Sequence, residues 1–74
     1  MTHRIEPGQV YRSCKPIDNG FRIRITHVND YSVRAVDAAN GRPLLRRVLS
    51  SSLHDSPTTR DGQPRRTGYA LEQQ

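Results

Sequence analysis

Residues 21–37 read FRIRITHVNDYSVRAVD. Phe21, Ile23 and Ile25 alternate with Arg22, Arg24 and Thr26. On an extended chain successive side chains point to opposite faces, so this spacing predicts a strand over 21–28 with one apolar and one cationic face. Asn29-Asp30 carries turn chemistry. Tyr31, Val33 and Ala35 then alternate with Ser32 and Arg34, which predicts a second strand over 31–37. The two segments read as an antiparallel hairpin.

The rest of the chain fits around this hairpin. Upstream, Lys15-Pro16-Ile17-Asp18-Asn19-Gly20 is a reversal, because Asn-Gly tolerates the positive φ angles of tight turns. Gln9 to Ser13 is a short strand with Val10 and Tyr11 as its apolar members. Residues 1–8 are an N-terminal arm ending at the turn dipeptide Pro7-Gly8. Downstream, Ala38-Ala39-Asn40-Gly41 turns the chain again. Arg42 to Leu49 supports two readings. Leu44, Leu45, Val48 and Leu49 make a helical stripe that Pro43 could open, and the same residues can form a strand over 44–49. The strand is preferred because the segment is short and follows a hairpin turn. Ser50 to Leu53 reads as a single helical or 3₁₀ turn, with Leu53 pinning it to the core.

Residues 54–67 (HDSPTTRDGQPRRT) contain no apolar side chain apart from two prolines. Such a stretch can bury little, so it is expected to be a flexible polar loop. Gly68 to Leu71 is a short closing strand and 72–74 a tail. Four or five antiparallel strands, tight turns and one short helical turn before the last strand predict a mainly β fold, a small SH3-like barrel. Barrel closure hides the strand edges of a chain this small. The chain has 74 residues, one domain at most; such a chain buries only about 60% of its unfolded surface. Hydrophobic residues are 32% of it, and Trp is absent, which argues against a large apolar pocket, a cofactor-binding α/β fold or a membrane span.

On PGQVYRSC at 7–14, FRIRI at 21–25 and SSLHDSPTTRDGQPRRTGY at 51–69 the chain resembles a group of small uncharacterised actinobacterial proteins. The resemblance covers most of the chain and implies a bacterial, cytoplasmic protein. The polar start of the chain, without an apolar signal-peptide core, gives the same expectation of a cytoplasmic location.

Chemistry-bearing residues are sparse. His3, His27, His54 and Cys14 show no pair at metal-ligand spacing, so neither a metal nor another cofactor is expected. Ser50, Ser51 and Ser52 near His54 and Asp55 supply the letters of a catalytic triad. There is no nucleophile elbow, and a capped helical turn followed by an Asp-Ser-Pro turn explains the same residues. Cys14 lies beside Arg12 and Lys15, which would lower its pKa; the commoner case is a half-buried structural thiol. The chain is therefore expected not to be an enzyme.

Charge is the stronger signal. Twelve basic residues face seven acidic ones, a net charge of +5, and all the basic residues but Lys15 are Arg. Guanidinium is a planar fork suited to phosphate and carboxylate. Arg22, Arg24 and Arg34 are expected to form a stripe on the outer sheet face. Arg47 would join them from 44–49, where strand alternation sends Arg46 to the other side. Arg60, Arg65 and Arg66 would clamp a ligand from the loop. Tyr11, Tyr31 and Phe21 could stack on bases, although all three suit the core. The expected function is a small, weakly sequence-specific nucleic-acid-binding module, for DNA or RNA, that contacts phosphates through these arginines. The alternative is a protein-interaction adaptor that docks on an acidic partner. A core this small could also be completed by a second copy, with 42–49 as the contact.

Overall fold

The computed structural model describes residues 4–73. Six strands form one sheet: β1 (Val10–Ser13), β2 (Arg22–Val28), β3 (Ser32–Asp37), β4 (Val48–Leu49), β5 (Leu53–His54) and β6 (Tyr69–Gln73). Their order is β4-β3-β2-β1-β6-β5. The edge strands β4 and β5 are consecutive in the chain and are joined by one 3₁₀ turn, Ser50–Ser52. The sheet must therefore curl until its two edges meet at that turn. The result is a nearly closed, mainly β barrel, consistent with a small SH3-like barrel.

The central hairpin follows from its alternation. Ile23 and Ile25 of β2 and Val33 and Ala35 of β3 are buried, while Arg22, Arg24 and Arg34 are exposed. Tyr11, Ile23, Ile25 and Val33 are fully buried and form the centre of the core. Phe21, Leu44, Tyr69 and Leu71 are half-buried and pack around it. Tyr31, by contrast, is 84% exposed and lies outside the core.

Several expectations change. The sheet has six strands, and β5 runs parallel to β6 through Leu53↔Tyr69 and His54↔Ala70. A second 3₁₀ turn occurs at Pro16–Asp18. The expected strand over 44–49 shrinks to Val48–Leu49, with an isolated bridge between Pro43 and Val36. Continuous alternation would have turned either Arg46 or Arg47 onto the apolar face. The chain bows out instead: Leu44 reaches the core, while Leu45, Arg46 and Arg47 stay exposed. His54 belongs to β5 rather than to the loop, and Glu72 and Gln73 extend β6 rather than forming a tail. Residues 55–67 carry structure of their own. Thr58 bridges Pro64, Thr59 N donates to Gln63 O at 2.7 Å, and Arg65 N donates to Pro57 O at 2.8 Å.

Met1 to His3 and Gln74, including the ends of the expected arm and tail, lie outside the described residues. The described part of the arm is docked. Ile5 packs against the core, and Gly8 N donates to Ile25 O at 2.8 Å. Gln9 fixes this docking from a buried position. Its side-chain Nε2 donates to Arg4 O at 3.0 Å, and its Oε1 accepts from Glu6 N and the Tyr11 hydroxyl, both at 2.9 Å.

Burial, with the negative charge of Asp55 adding to it, pushes the Tyr11 phenol from 10.0 up to about 12. A folded-state pKa above the unfolded one stabilises the fold below pH 10, and this contribution is lost as pH rises towards 12. Stability is therefore expected to fall by about 2–3 kcal/mol across that window. Urea unfolding at several pH values measures the loss, and Tyr11→Phe should flatten the slope.

Candidate nucleic-acid interface

The sheet register decides which cations are neighbours. Arg12 of β1 lies opposite Arg22 of β2. Arg24 lies opposite Val36, and a register shift between Ile25 and His27 places His27, not Arg24, opposite Arg34. The bulge at Thr26 lies beyond Arg24: Val36 and Arg34 alternate onto one side of β3, so Arg24 is Arg34's diagonal neighbour and the expected stripe of Arg22, Arg24 and Arg34 shares the outer sheet face. Arg22 is compensated by an ion pair from its Nε to Glu72 Oε1.

A second group of cations converges where the expected stripe does not reach. The bowed segment 44–47, the turn after β1, β5 and the end of the loop surround a cleft of about 950 Å³. Lys15, Arg46, Arg47 and Arg65 line it, together with His54 and Tyr69. Among the described residues, ion pairs join Arg4 to Glu6 and Arg22 to Glu72, and none involves these four cations. Asp18, the carboxylate in the same wall, accepts a hydrogen bond of 2.5 Å from the Ser13 hydroxyl. Ser13 Oγ also accepts from Lys15 N at 3.2 Å, which ties the Lys15 backbone to this wall. Arg65 is anchored through its backbone to Pro57 and through its Nε, which donates to Ser56 O at 3.1 Å.

The cleft continues on both sides. Arg46 and Arg47 also border a groove of about 530 Å³ with His27 and Arg34. Lys15 and Arg65 also border one of about 390 Å³ with Arg12. The cations thus form a band from Arg34, across the bowed segment, to Arg12. Of the seven arginines expected at the site, Arg47 and Arg65 meet in the central cleft and Arg34 stands on its flank. Arg22 and Arg24 stay on the sheet face, and Arg60 and Arg66 are exposed on the loop without lining the cleft. Lys15, Arg46 and Arg12 are additions. The Arg46-Arg47 doublet carried a usable signal, because two adjacent charges conflict with a half-buried strand.

Cys14 is half-buried, as the structural-thiol reading expects, and its pKa is not lowered. Burial pushes the Cys14 pKa up, and the nearby Arg65 only partly offsets this. Cys14 is therefore expected to react with iodoacetamide near pH 8 more slowly than the same thiol in urea-unfolded protein, because less of it is thiolate. Timed alkylation followed by mass spectrometry reads the difference. Tyr69 is also raised, first by burial and then by the charge of Asp18, so its hydroxyl keeps its proton at neutral pH. Ser50–Ser52 form the 3₁₀ turn, with Ser50 N donating to Tyr31 O at 2.9 Å. Among the described residues, no group of three His, Cys, Asp or Glu side chains could hold a metal ion, and no helix is long and apolar enough to cross a membrane. No protein-family model, curated protein or solved structure matches the chain.

Proposed function

We propose that this protein is a small, non-enzymatic nucleic-acid-binding module whose phosphate contacts centre on Lys15, Arg46, Arg47 and Arg65. One observation carries the reading: four cationic side chains from three separate segments line one cleft, and among the described residues none of them forms an ion pair. Gathering uncompensated like charge around one cleft is unfavourable, and a polyanion relieves it. A band of cations follows a phosphate backbone better than scattered charges do, and its contacts carry little sequence information.

Such binding must weaken with salt, because each neutralised phosphate releases condensed counterions. Fluorescence anisotropy of labelled DNA and RNA across a salt series, beside a basic control protein, tests this. A log–log slope of roughly −3 to −5 supports contact with four to six phosphates. Binding no tighter than the control's sinks the reading. Leu45, fully exposed beside Arg46 and Arg47, favours a second reading, docking on an acidic protein. A pull-down from nuclease-treated lysate separates the two: a stoichiometric acidic partner supports the second, and recovery only with intact nucleic acid supports the first.

A further inference from the structure

Building on the nucleic-acid reading, we infer that the ligand is a single strand, held in the central cleft with its phosphates on Arg46, Arg47 and Arg65 and its bases against Tyr69 and His54. The first argument is shape. The whole protein measures 33 × 26 × 20 Å, and the cations line the walls of a concavity within it. Its volume of about 950 Å³ is at the upper end of the range of about 300–1,000 Å³ that encloses small organic ligands. A few nucleotides of flexible chain fit such a space. A stiff duplex can only lay one backbone along its rim.

The second argument is what lies between the cations. Tyr69 and His54 are both half-buried and both line the cleft. The parallel register sets Tyr69 beside Leu53 and His54 beside Ala70, so alternation sends the two rings to opposite faces of the β5–β6 pair and they border the cleft from two sides. Gly68 makes room for the imidazole. A Cβ there would lie 3.0 Å from His54 Nε2 and 2.7 Å from Ser52 O, at a φ of +77° that side chains rarely adopt. Aromatic rings within a cationic groove hold single strands with little sequence preference, because every base offers a π-face. A duplex keeps its bases stacked inside and cannot use those rings.

The third argument concerns the acid. Asp18 would repel phosphate, and it sits on the Ser13 side of the cleft. The bowed segment and Arg65 are left as the phosphate track, which places the bases towards Tyr69 and His54.

The test compares probes of about twelve nucleotides with equal phosphate counts: a single strand as DNA and as RNA, the same strand with abasic sites, and the duplex. Competition anisotropy on the full chain at fixed salt reads the affinities. The intact single strand, as DNA or RNA, is expected to bind about tenfold tighter than the abasic one, and more tightly than the duplex. Equal affinity for intact and abasic strands, or tighter binding of the duplex, overturns the inference and leaves the broader reading standing. No binding of any probe overturns both. His54→Ala should lose about fivefold on the intact strand and clearly less on the abasic one. Equal losses on both probes with His54→Ala would also overturn it.

Discussion

Replacing Arg46 and Arg47 together by Glu is expected to lower nucleic-acid affinity a hundredfold or more. Each lost charge-assisted contact is worth about 1.5–3 kcal/mol, and each new carboxylate adds repulsion. The matched variant is Arg22→Glu with Arg24→Glu. Both pairs change the net charge equally, so an effect of net charge alone predicts equal losses. Arg22 already faces Glu72, and Arg24 lies opposite Val36 away from the cleft. The sheet-face pair is therefore expected to lose less than about tenfold, with a salt slope close to that of the unmodified protein. The Arg46 and Arg47 variant should lose about two units of slope. Both cleft arginines are exposed and unpaired among the described residues, so stability should move by no more than about 0.5 kcal/mol. Equal affinity losses in the two variants would remove the cleft as the centre of binding.

Tyr11→Ala is expected to cost about 3–5 kcal/mol, the range for removing a buried aromatic side chain. Tyr11 is fully buried, lies opposite Ile23 on one side and Leu71 on the other, and tethers Gln9. A domain this size has roughly 4–11 kcal/mol in total, so the substitution should leave a marginal fold. Tyr11→Phe keeps the ring and should cost only about 1 kcal/mol, because Gln9 Oε1 retains its bond from Glu6 N. Urea unfolding followed by circular dichroism measures both. A loss below about 1 kcal/mol for Tyr11→Ala would mean that the side chain is not at the centre of the core.

What could be read from the sequence was what neighbouring residues decide. Ile23, Ile25, Val33 and Ala35 declare their faces by alternation, and Asn19-Gly20 declares its turn. The bulge at Thr26 could not be read, because it exists only relative to the partner strand. The parallel pairing of His54 with Ala70 is set by how residues 55–67 return, and no local pattern records that path. Gln9 looked like an ordinary strand residue, yet it holds the arm through three partners. The cleft follows the same logic. Lys15, Arg47 and Arg65 are far apart in the chain and meet only when the sheet curls, so reading along strands selected the sheet-face arginines instead. The refusal of Arg46 and Arg47 to share a strand was the one local trace of the site.

The pairing of β1 with β6 also sets an order of events. Tyr11, the first of the fully buried core residues to be synthesised, finds Leu71 only after nearly the whole chain has emerged. The β2–β3 hairpin can form early from local contacts, whereas sealing the barrel must wait for a long loop to close, which slows folding. Until β6 is available, the β1 edge that carries Tyr11 therefore stays open. The rings of the cleft reach their places only in the last step, when Tyr69 docks beside Leu53. On the proposed reading, the cleft would be completed only at the end of folding, and a chain stalled before β6 would present its arginines without Tyr69.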